Sequence, residues 1–194
     1  SLAAVENQPS GRTNPMVNSG AIATTSLAPG GTTEDQWSFL VGGMSRFAGR
    51  ELSLLDEVYT SASATNHRNQ SIARLLVDRG SLTTDAAAAV ELYTRQSSLG
   101  VSAHDLAVMG ATLADGGVNP ITGDAVVDAE TCRYALAVMA TAGLYETSGD
   151  WLYNIGLPAK SGIGGGIVTS VPGKGGLGTF APPLDAAGNS VRAQ

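Results

Sequence analysis

A helical repeat of apolar residues constrains the fold more than any other feature of the sequence, and it extends from residue 18 to about residue 142. Apolar side chains recur there three and four residues apart, the spacing that places them on one face of an α-helix. Thr33 and Gln36 are predicted to form a capping box at the start of the clearest helix. Its apolar face consists of Trp37, Leu40, Val41, Met44, Phe47 and Ala48. Most of the chain is therefore predicted to be helical.

Four more helices are predicted downstream of this one. Gly80 is predicted to end the first of them, because glycine is favoured just after a helix. Ser102 begins the third, where Asp105 lies beside the positive end of the helix dipole. The fourth covers about residues 128–142. The predicted apolar faces are Ile72, Leu75 and Leu76; Leu106, Met109 and Leu113; and Cys132, Ala135, Leu136 and Met139.

A strand-like pattern replaces the helical one after Gly143. Residues 167–171 are a β-branched run, residues 172–176 are rich in glycine, and residues 177–181 form a second short run. This order predicts a β-hairpin. Because two strands are not stable alone in water, the hairpin is expected to belong to a sheet whose remainder lies upstream of this chain.

These patterns together predict an α+β fold in one domain, residues 1–194. Residues 20–142 form its predicted helical part, and residues 156–194 form its predicted C-terminal sheet part, with antiparallel strands. The sequence begins with Ser-Leu-Ala, without an initiator Met or a basic leader, so no signal peptide is predicted. We expect this domain to be truncated at its N-terminus.

Charge and composition exclude several classes of function. The chain carries 11 basic and 17 acidic side chains, a net charge of −6. Nucleic acid is not expected as a partner, because its binding depends on neutralising phosphates with clustered Lys and Arg. No run of about 18 apolar residues occurs, so no membrane-spanning helix is predicted. Cys132 is the only cysteine, which excludes an intrachain disulfide, predicts a buried thiol and favours a cytoplasmic location.

Two glycine-rich segments and two histidines do not fit known ligand-binding motifs. Residues 162–166 have an isoleucine after them, where the dinucleotide fingerprint needs its third glycine. Gly173-Lys174 lacks the earlier glycine and the following Ser or Thr of a phosphate loop. His67 and His104 lie 37 residues apart without a metal-binding pattern. Neither a nucleotide site nor a metal site is predicted.

The triplet Lys160-Ser161-Gly162 resembles the third motif of serine β-lactamases and penicillin-binding proteins. In those proteins, the edge of an inner strand presents backbone N–H groups to a developing oxyanion, and the lysine holds a substrate carboxylate. The alternative is that Lys160 lies at an ordinary strand edge and has no catalytic role. The triplet therefore needs support from other parts of the chain.

Other segments supply that support: residues 14–22 (NPMVNSGAI), 68–69 (RN), 109–120 (MGATLADGGVNP), 156–162 (GLPAKSG) and 184–190 (LDAAGNS). In this order they closely resemble the serine-dependent glutaminases, which have a β-lactamase/transpeptidase-like fold. The resemblance extends over the whole chain. It implies hydrolysis of L-glutamine to L-glutamate and ammonia by a serine nucleophile in a Ser-x-x-Lys motif. It also implies no cofactor and a homo-oligomer.

The resemblance assigns site residues by their positions in these motifs. Tyr145 corresponds to a tyrosine beside the nucleophile that can pass a proton, and the backbone N–H of Ile163 corresponds to an oxyanion donor. The implied catalytic residues are Tyr145, Lys160, Ser161 and Ile163. The implied substrate-binding residues are Asn18, Asn69, Tyr93, Tyr145 and Ile163.

Each residue type suits its implied role. A pocket selective for glutamine must pair an ammonium, a carboxylate and an amide, because unpaired buried groups are costly. Asparagine can donate and accept hydrogen bonds, and a tyrosine hydroxyl can do both and transfer a proton. The alternatives are that Asn18 only caps a helix, that Asn69 only lies in the first turn of a helix, and that Tyr93 and Tyr145 only pack in the core.

The sequence departs from the family pattern in two ways. The only lysines are Lys160 and Lys174, and the residues three positions before them are Leu157 and Val171, so the chain contains no Ser-x-x-Lys motif. The family also places a glutamate after its V-Y-x-S segment, where it binds the substrate ammonium. Ala62 stands at that position here. Loss of this partner predicts that a nearby acid substitutes for it, that glutamine binds more weakly, or that the substrate differs. Glu57 is the nearest acid in the sequence.

Two other functions remain open at this point. One is a non-catalytic relative of the fold that binds a small ligand or a protein, which Ala62 favours. The other is a β-lactamase-like serine hydrolase with a different substrate, which the lack of a clear Ser-x-Asn motif disfavours.

Overall fold

The computed structural model of the chain describes residues 5–7 and 14–194. The first residues of the chain, on which the signal-peptide prediction rests, lie outside this range. The helices are α1 Asn18–Thr25, α2 Thr33–Ala48, α3 Asp56–Thr65, α4 His67–Asp78, α5 Ala86–Ser97, α6 Ala103–Ala114, α7 Ala129–Ala142 and α8 Ser148–Asn154. The strands are β1 Ala159–Ser161, β2 Gly166–Val171 and β3 Gly175–Phe180, and a 3₁₀ turn covers Tyr145–Thr147. The predicted α+β class is confirmed.

The described residues form two compact units. The first comprises the described residues up to 42 together with residues 52–100, and the second comprises residues 43–51 and 101–194. Helix α2 crosses from the first to the second between Gly42 and Gly43. Helices α6 and α7 thus belong to the same unit as the strands. None of the helices in the described part of the chain is long and apolar enough to cross a membrane.

The first unit has a core formed by helices α1, α4 and α5. Its buried side chains include Ile22, Ile72, Leu76 and Val90. Gly80 ends α4 with φ +67°, a conformation that residues with a Cβ rarely adopt. Its N–H donates to the carbonyl of Val77 at 2.9 Å, and that of Ser81 donates to the carbonyl of Leu76 at 2.9 Å. This pair of bonds is a Schellman motif, and it confirms the predicted end of the helix.

The second unit contains an antiparallel sheet of order β1-β2-β3, with α6 packed on β2 and β3. Strand β3 lies close to the helix because two of its residues are glycines. A Cβ on Gly176 would lie 2.2 Å from the carbonyl oxygen of Ala107, and one on Gly178 would lie 1.9 Å from that of Ala103. The predicted hairpin is confirmed as β2 and β3. Strand β1 adds a third strand, with Lys160 opposite Val168.

Side-chain caps fix the starts of several helices. Asp85 accepts from the N–H of Ala88 at 2.8 Å at the start of α5. Ser102 and Asp105 form the capping box of α6, as their sequence positions suggest. The capping box of α2 is wrongly predicted by one residue. Thr32, and not Thr33, exchanges bonds with Asp35, at 3.0 and 3.1 Å.

The most buried face of α6 also differs from the predicted face of Leu106, Met109 and Leu113, which are only half-buried. Buried residues of the helix are instead Asp105, Val108, Gly110 and Thr112. Leu106 lies over Gly166 and Gly178, which have no side chains to cover it. Asp105 is buried because Arg50 pairs with it twice, from Nε to Oδ1 at 2.7 Å and from Nη2 to Oδ2 at 2.6 Å. Hydrophobicity alone does not reveal a charged residue that is buried by its partner.

Candidate functional site

Three of the predicted substrate-binding residues contact one another in the first unit. Asn18 begins α1, Asn69 lies in the first turn of α4, and Tyr93 lies in the middle of α5. The Asn18 Nδ2 donates to Oδ1 of Asn69 at 2.8 Å. The Tyr93 hydroxyl donates to Oδ1 of Asn18 at 3.3 Å. Residues from three separate sequence segments thus form one polar cluster, which we call the amide cluster.

The amide cluster carries no formal charge. Burial raises the pKa of Tyr93, and a hydrogen bond with Ser97 opposes this shift. The tyrosine therefore stays a neutral hydroxyl near neutral pH, able to donate and accept. Together the two amides and the hydroxyl can hydrogen-bond a small polar ligand. They cannot supply the carboxylate that an ammonium group would need.

A cavity of about 370 Å³ lies elsewhere in the first unit. It is bordered by Ser63, Asn66, Gln70, Arg74, Ala86, Ala87, Val90 and Glu91, and none of the three residues of the amide cluster lines it. Asn66, Gln70 and Arg74 recur every four residues, so they follow one side of α4 and its N-cap. The cavity is therefore separate from the amide cluster.

Two predicted catalytic residues contact each other in the second unit. The Lys160 Nζ lies 4.6 Å from the centroid of the Tyr145 ring, within the range of a cation–π contact. It also donates to the carbonyl oxygen of Ser161. Burial lowers the pKa of Lys160 from 10.5 to about 8. The lysine is therefore mainly cationic at neutral pH and loses its proton under mildly alkaline conditions.

Ile163 lies in the turn between β1 and β2. The N–H of Gly165 donates to the carbonyl of Gly162 at 2.9 Å, which closes the turn. Among the described residues, the N–H of Ile163 has no acceptor, as expected for the second position of such a turn. A methyl group on Gly188 would lie 3.7 Å from Tyr145 Cε2 and 3.8 Å from Ile163 Cγ2. Gly188 therefore lies close to both the Tyr145 ring and the Ile163 side chain.

Ser161 occupies a different environment from its neighbour Lys160. Side chains alternate along β1, so Ser161 points into the interior and is 2% exposed. Its hydroxyl donates to Oδ1 of Asn189 at 2.5 Å. The sequence predicts Ser161 as a catalytic residue, but its buried hydroxyl is already bonded to Asn189. Asn189 itself was not among the predicted site residues, and its position in the LDAAGNS segment is the only sequence signal for it.

Within residues 5–7 and 14–194, no group of three or more His, Cys, Asp or Glu residues could hold a metal ion. Cys132 is buried and unpaired, as predicted.

The strands, the helix packed on them and the Lys160-Ser161-Gly162 edge beside Tyr145 are typical of a β-lactamase-like α+β fold. The family model for glutaminase matches residues 1–194 of this sequence. The chain belongs to the glutaminase family.

Similar proteins carry the same family name. "Glutaminase 2" of Yersinia pestis is 69% identical over 194 residues, which are all of this chain and 57% of that protein. A glutaminase of Colwellia psychrerythraea is 47% identical over all of this chain and 62% of that protein. The chain thus spans a little over half the length of the relatives that it matches.

Solved structures agree with the fold over the whole chain. A probable glutaminase, ybaS, has a TM-score of 0.96 and 47% identity, and this chain covers 62% of it. A Bacillus glutaminase solved in the presence of 4.3 M NaCl has a TM-score of 0.94 and 33% identity, with 67% of that chain covered. A protein called Mglu, solved in its glutamate form, has a TM-score of 0.92 and 39% identity, with 45% covered.

Proposed function

We propose that the protein carrying this chain hydrolyses L-glutamine to L-glutamate and ammonia through an acyl-enzyme on a serine. The amide cluster is the observation that carries this proposal. Asn18 and Asn69 are 51 residues apart, and Asn18 and Tyr93 are 75 residues apart, yet their side chains meet. The family resemblance assigns all three to substrate binding, and helix capping does not explain a contact between them.

The residues of the second unit supply the remaining chemistry in this proposal. Lys160, cationic below about pH 8, attracts a substrate carboxylate. The N–H of Ile163 donates to the oxyanion that forms on the amide carbon, a contribution of about 10²–10³ in rate for one such donor. Tyr145 passes a proton beside the nucleophile. Ser161 belongs to the site as a positioning residue, because its hydroxyl is buried.

The nucleophile of the proposed reaction is outside this sequence. A serine oxygen bonds to the amide carbon, the carbon–nitrogen bond breaks, and ammonia leaves with the transferred proton. Water then breaks the new ester bond and releases glutamate. No Ser-x-x-Lys motif occurs in these 194 residues, so this chain contributes the substrate-binding and charge-stabilising groups. The homo-oligomer and the cytoplasmic location stay predictions.

Ala62 favours the second candidate, a non-catalytic protein that binds a small ligand. This residue lies on α3, half-buried, where the family has its ammonium-binding glutamate. A glutaminase with Ala62 can still function if the other groups hold glutamine, at a higher KM. The two candidates differ in whether ammonia is released.

The test uses a chimera in which this chain replaces the aligned 194 residues of the Yersinia pestis relative. We expect the chimera to release ammonia from glutamine. Asn69→Ala should lower kcat/KM by about 10- to 100-fold, because the groups that it pairs lose their partner. Ala62→Glu should lower KM by about tenfold by restoring a charge-assisted contact.

Asn66→Ala is the matched control. Asn66 lies three residues from Asn69, but among the described residues its side chain bonds only to Gln70, whose Nε2 donates to Oδ1 of Asn66 at 2.6 Å. It should leave kcat/KM unchanged. An active chimera whose kcat/KM is the same for Asn69→Ala and Asn66→Ala would contradict the substrate-binding assignment. A folded chimera that binds glutamine without releasing ammonia would favour the second candidate.

A further inference from the structure

We propose that Asn189 is a positioning residue of this site. It ties the Tyr145 loop, residues 143–148, to Ser161 in strand β1, and so keeps the Tyr145 ring against Lys160. This inference rests on the proposed function for its effect on catalysis. Its structural part concerns a set of hydrogen bonds that exists whatever the substrate is.

Asn189 uses both ends of its amide to make this connection. Its Oδ1 accepts from the Ser161 hydroxyl at 2.5 Å. Its Nδ2 donates to Oγ1 of Thr147 at 2.9 Å and to the carbonyl of Leu144 at 3.3 Å. The side chain is 0% exposed, so water does not replace these partners. Only an amide can accept on one side and donate twice on the other.

The Tyr145 loop needs such a restraint because of its backbone. Tyr145 has φ +53°, and among the described residues it is the only one with a side chain in the left-handed region. This conformation is unfavourable and persists where the surroundings impose it. Ser148 holds the loop internally, since its Oγ donates to the carbonyl of Tyr145 at 2.8 Å and accepts from the N–H of Leu144 at 3.0 Å.

The contacts between the loop and the strand are what fix the ring relative to Lys160. The Ser161 N–H donates to the carbonyl of Gly143 at 3.2 Å. A Cβ on Gly143 would lie 1.7 Å from the carbonyl oxygen of Ala159, so the loop backbone is packed directly on β1. Asn189 adds the only side-chain bridge that the described residues show between Ser161 and Leu144 or Thr147.

Asn189 is itself held in place by Asp185. Oδ1 of Asp185 accepts from the N–H groups of Ala187, Gly188 and Asn189, each at 2.9 Å. These bonds lower the pKa of Asp185, so the carboxylate stays ionised at neutral pH. A rigid turn therefore aims the amide of Asn189 into the interior.

Asn119 provides a matched control in the same unit. It is also 0% exposed, and its Nδ2 donates to the carbonyl of Arg46 at 2.7 Å while its Oδ1 accepts from the N–H of Ile121 at 2.8 Å. Its hydrogen-bond partners lie in other segments than the Tyr145 loop and β1. Removing either amide costs stability, but only Asn189 is expected to move Tyr145.

The first experiment measures the position of the ring without reference to activity. The chimera is labelled with [¹³C]lysine, and the Lys160 Hε signal is assigned through Lys160→Arg. The Tyr145 ring should shift this signal upfield, and Tyr145→Ala gives the shift without the ring. We expect Asn189→Ala to move the signal most of the way to the Tyr145→Ala value. Asn119→Ala should leave it in place.

The second experiment measures catalysis in the same variants. Asn189→Ala should lower kcat by about 10- to 100-fold with little change in KM, because misplacing a catalytic group by about 1 Å costs up to about 10² in rate. If Asn189 acts through Tyr145, Asn189→Ala/Tyr145→Phe should have the same kcat as Tyr145→Phe alone. A general loss of structure would instead multiply the two effects.

The proposal would be overturned if the Lys160 signal did not move in Asn189→Ala. It would also be overturned if the effects of Asn189→Ala and Tyr145→Phe on kcat multiplied. If Asn189→Ala does not fold, Thr147→Val removes one acceptor of Nδ2 at nearly constant volume, and the same signal decides. If the unsubstituted chimera is inactive on glutamine, the proposed function fails, and the lysine signal alone decides whether Asn189 positions the ring.

Discussion

Lys160 is buried against an aromatic ring, and this position changes its acid–base behaviour. Burial disfavours the cation, so the pKa falls from 10.5 to about 8. A group that loses its proton near pH 8 makes a function that depends on its charge sensitive to moderate alkalinity.

We therefore expect KM of the chimera for glutamine to rise above about pH 8, because the neutral amine no longer attracts the substrate carboxylate. The rise should approach tenfold per pH unit, as expected for loss of one proton. Lys160→Arg should remove this dependence between pH 7 and 9, since a guanidinium stays charged. The measurement is KM against pH for both proteins. A KM that stays constant to pH 9 in the unsubstituted chimera would contradict the assignment.

Contacts between individual site residues could not be predicted from the sequence. Asn18, Asn69 and Tyr93 were predicted one at a time from short motifs, and the structure shows that they touch. Asn189 lies in the LDAAGNS segment, but its role depends on burial and on three partners that are distant in sequence. Neither property is visible in the order of residues along the chain.

Among the elements, α6 depends on an ion pair that hydrophobic patterns do not indicate. Asp105 caps the helix with Ser102 and also pairs with Arg50 at 2.6 Å. The hydrogen bonds from Arg50 and Ser102 hold the pKa of Asp105 well below its usual range. Its stabilising contribution is therefore present above about pH 4 and is lost as the pH falls through the lowered pKa.

We expect Asp105→Ala to lower the free energy of unfolding of the chimera by about 2–4 kcal/mol, because it removes charge-assisted bonds from a buried site. Asp128→Ala removes a cap of α7 that bonds to the N–H of Thr131 at 2.7 Å but is exposed. This control should cost about 1 kcal/mol. Urea unfolding at pH 7 measures both. Equal losses would show that the Arg50 pair contributes little.

The predicted helix ends agree with the structure where they depend on residues close in sequence. Gly80, Asp105 and Ser102 mark helix ends through bonds to residues three to five positions away, and those ends agree with the structure. Strand β1 has three residues and exists through its pairing with β2, as in the register Ser161 with Ile167. Sequence periodicity cannot show an element so short.

For the whole molecule, the positions of the lysines decide whether this chain contains the Ser-x-x-Lys motif. The sequence contains two, and neither follows a serine at the spacing that the family mechanism needs. The α+β class and the family could be inferred because the motifs extend over the whole chain. The division into units could not, since it depends on which helices pack against the strands.

We expect the 194-residue chain alone to release no ammonia from glutamine above the uncatalysed background. The chimera should turn over at rates in the usual enzymatic range of about 1–10³ per second. A coupled ammonia assay on equal amounts of both proteins makes the comparison. Circular dichroism of the isolated chain serves as the control for folding. Turnover by the isolated chain at the rate of the chimera would place the nucleophile within these residues.

The contact between α6 and strand β3 has a consequence for mutational tolerance. Gly176 and Gly178 lie in a half-exposed strand, where surface position alone would suggest that many substitutions are accepted. Even alanine at Gly178 would place a carbon 1.9 Å from a helix carbonyl. In a saturation library these two sites should reject variants as strongly as the apolar core, while Pro172 and Lys174 in the turn accept them. Attachment of a probe to this hairpin therefore has to use the turn.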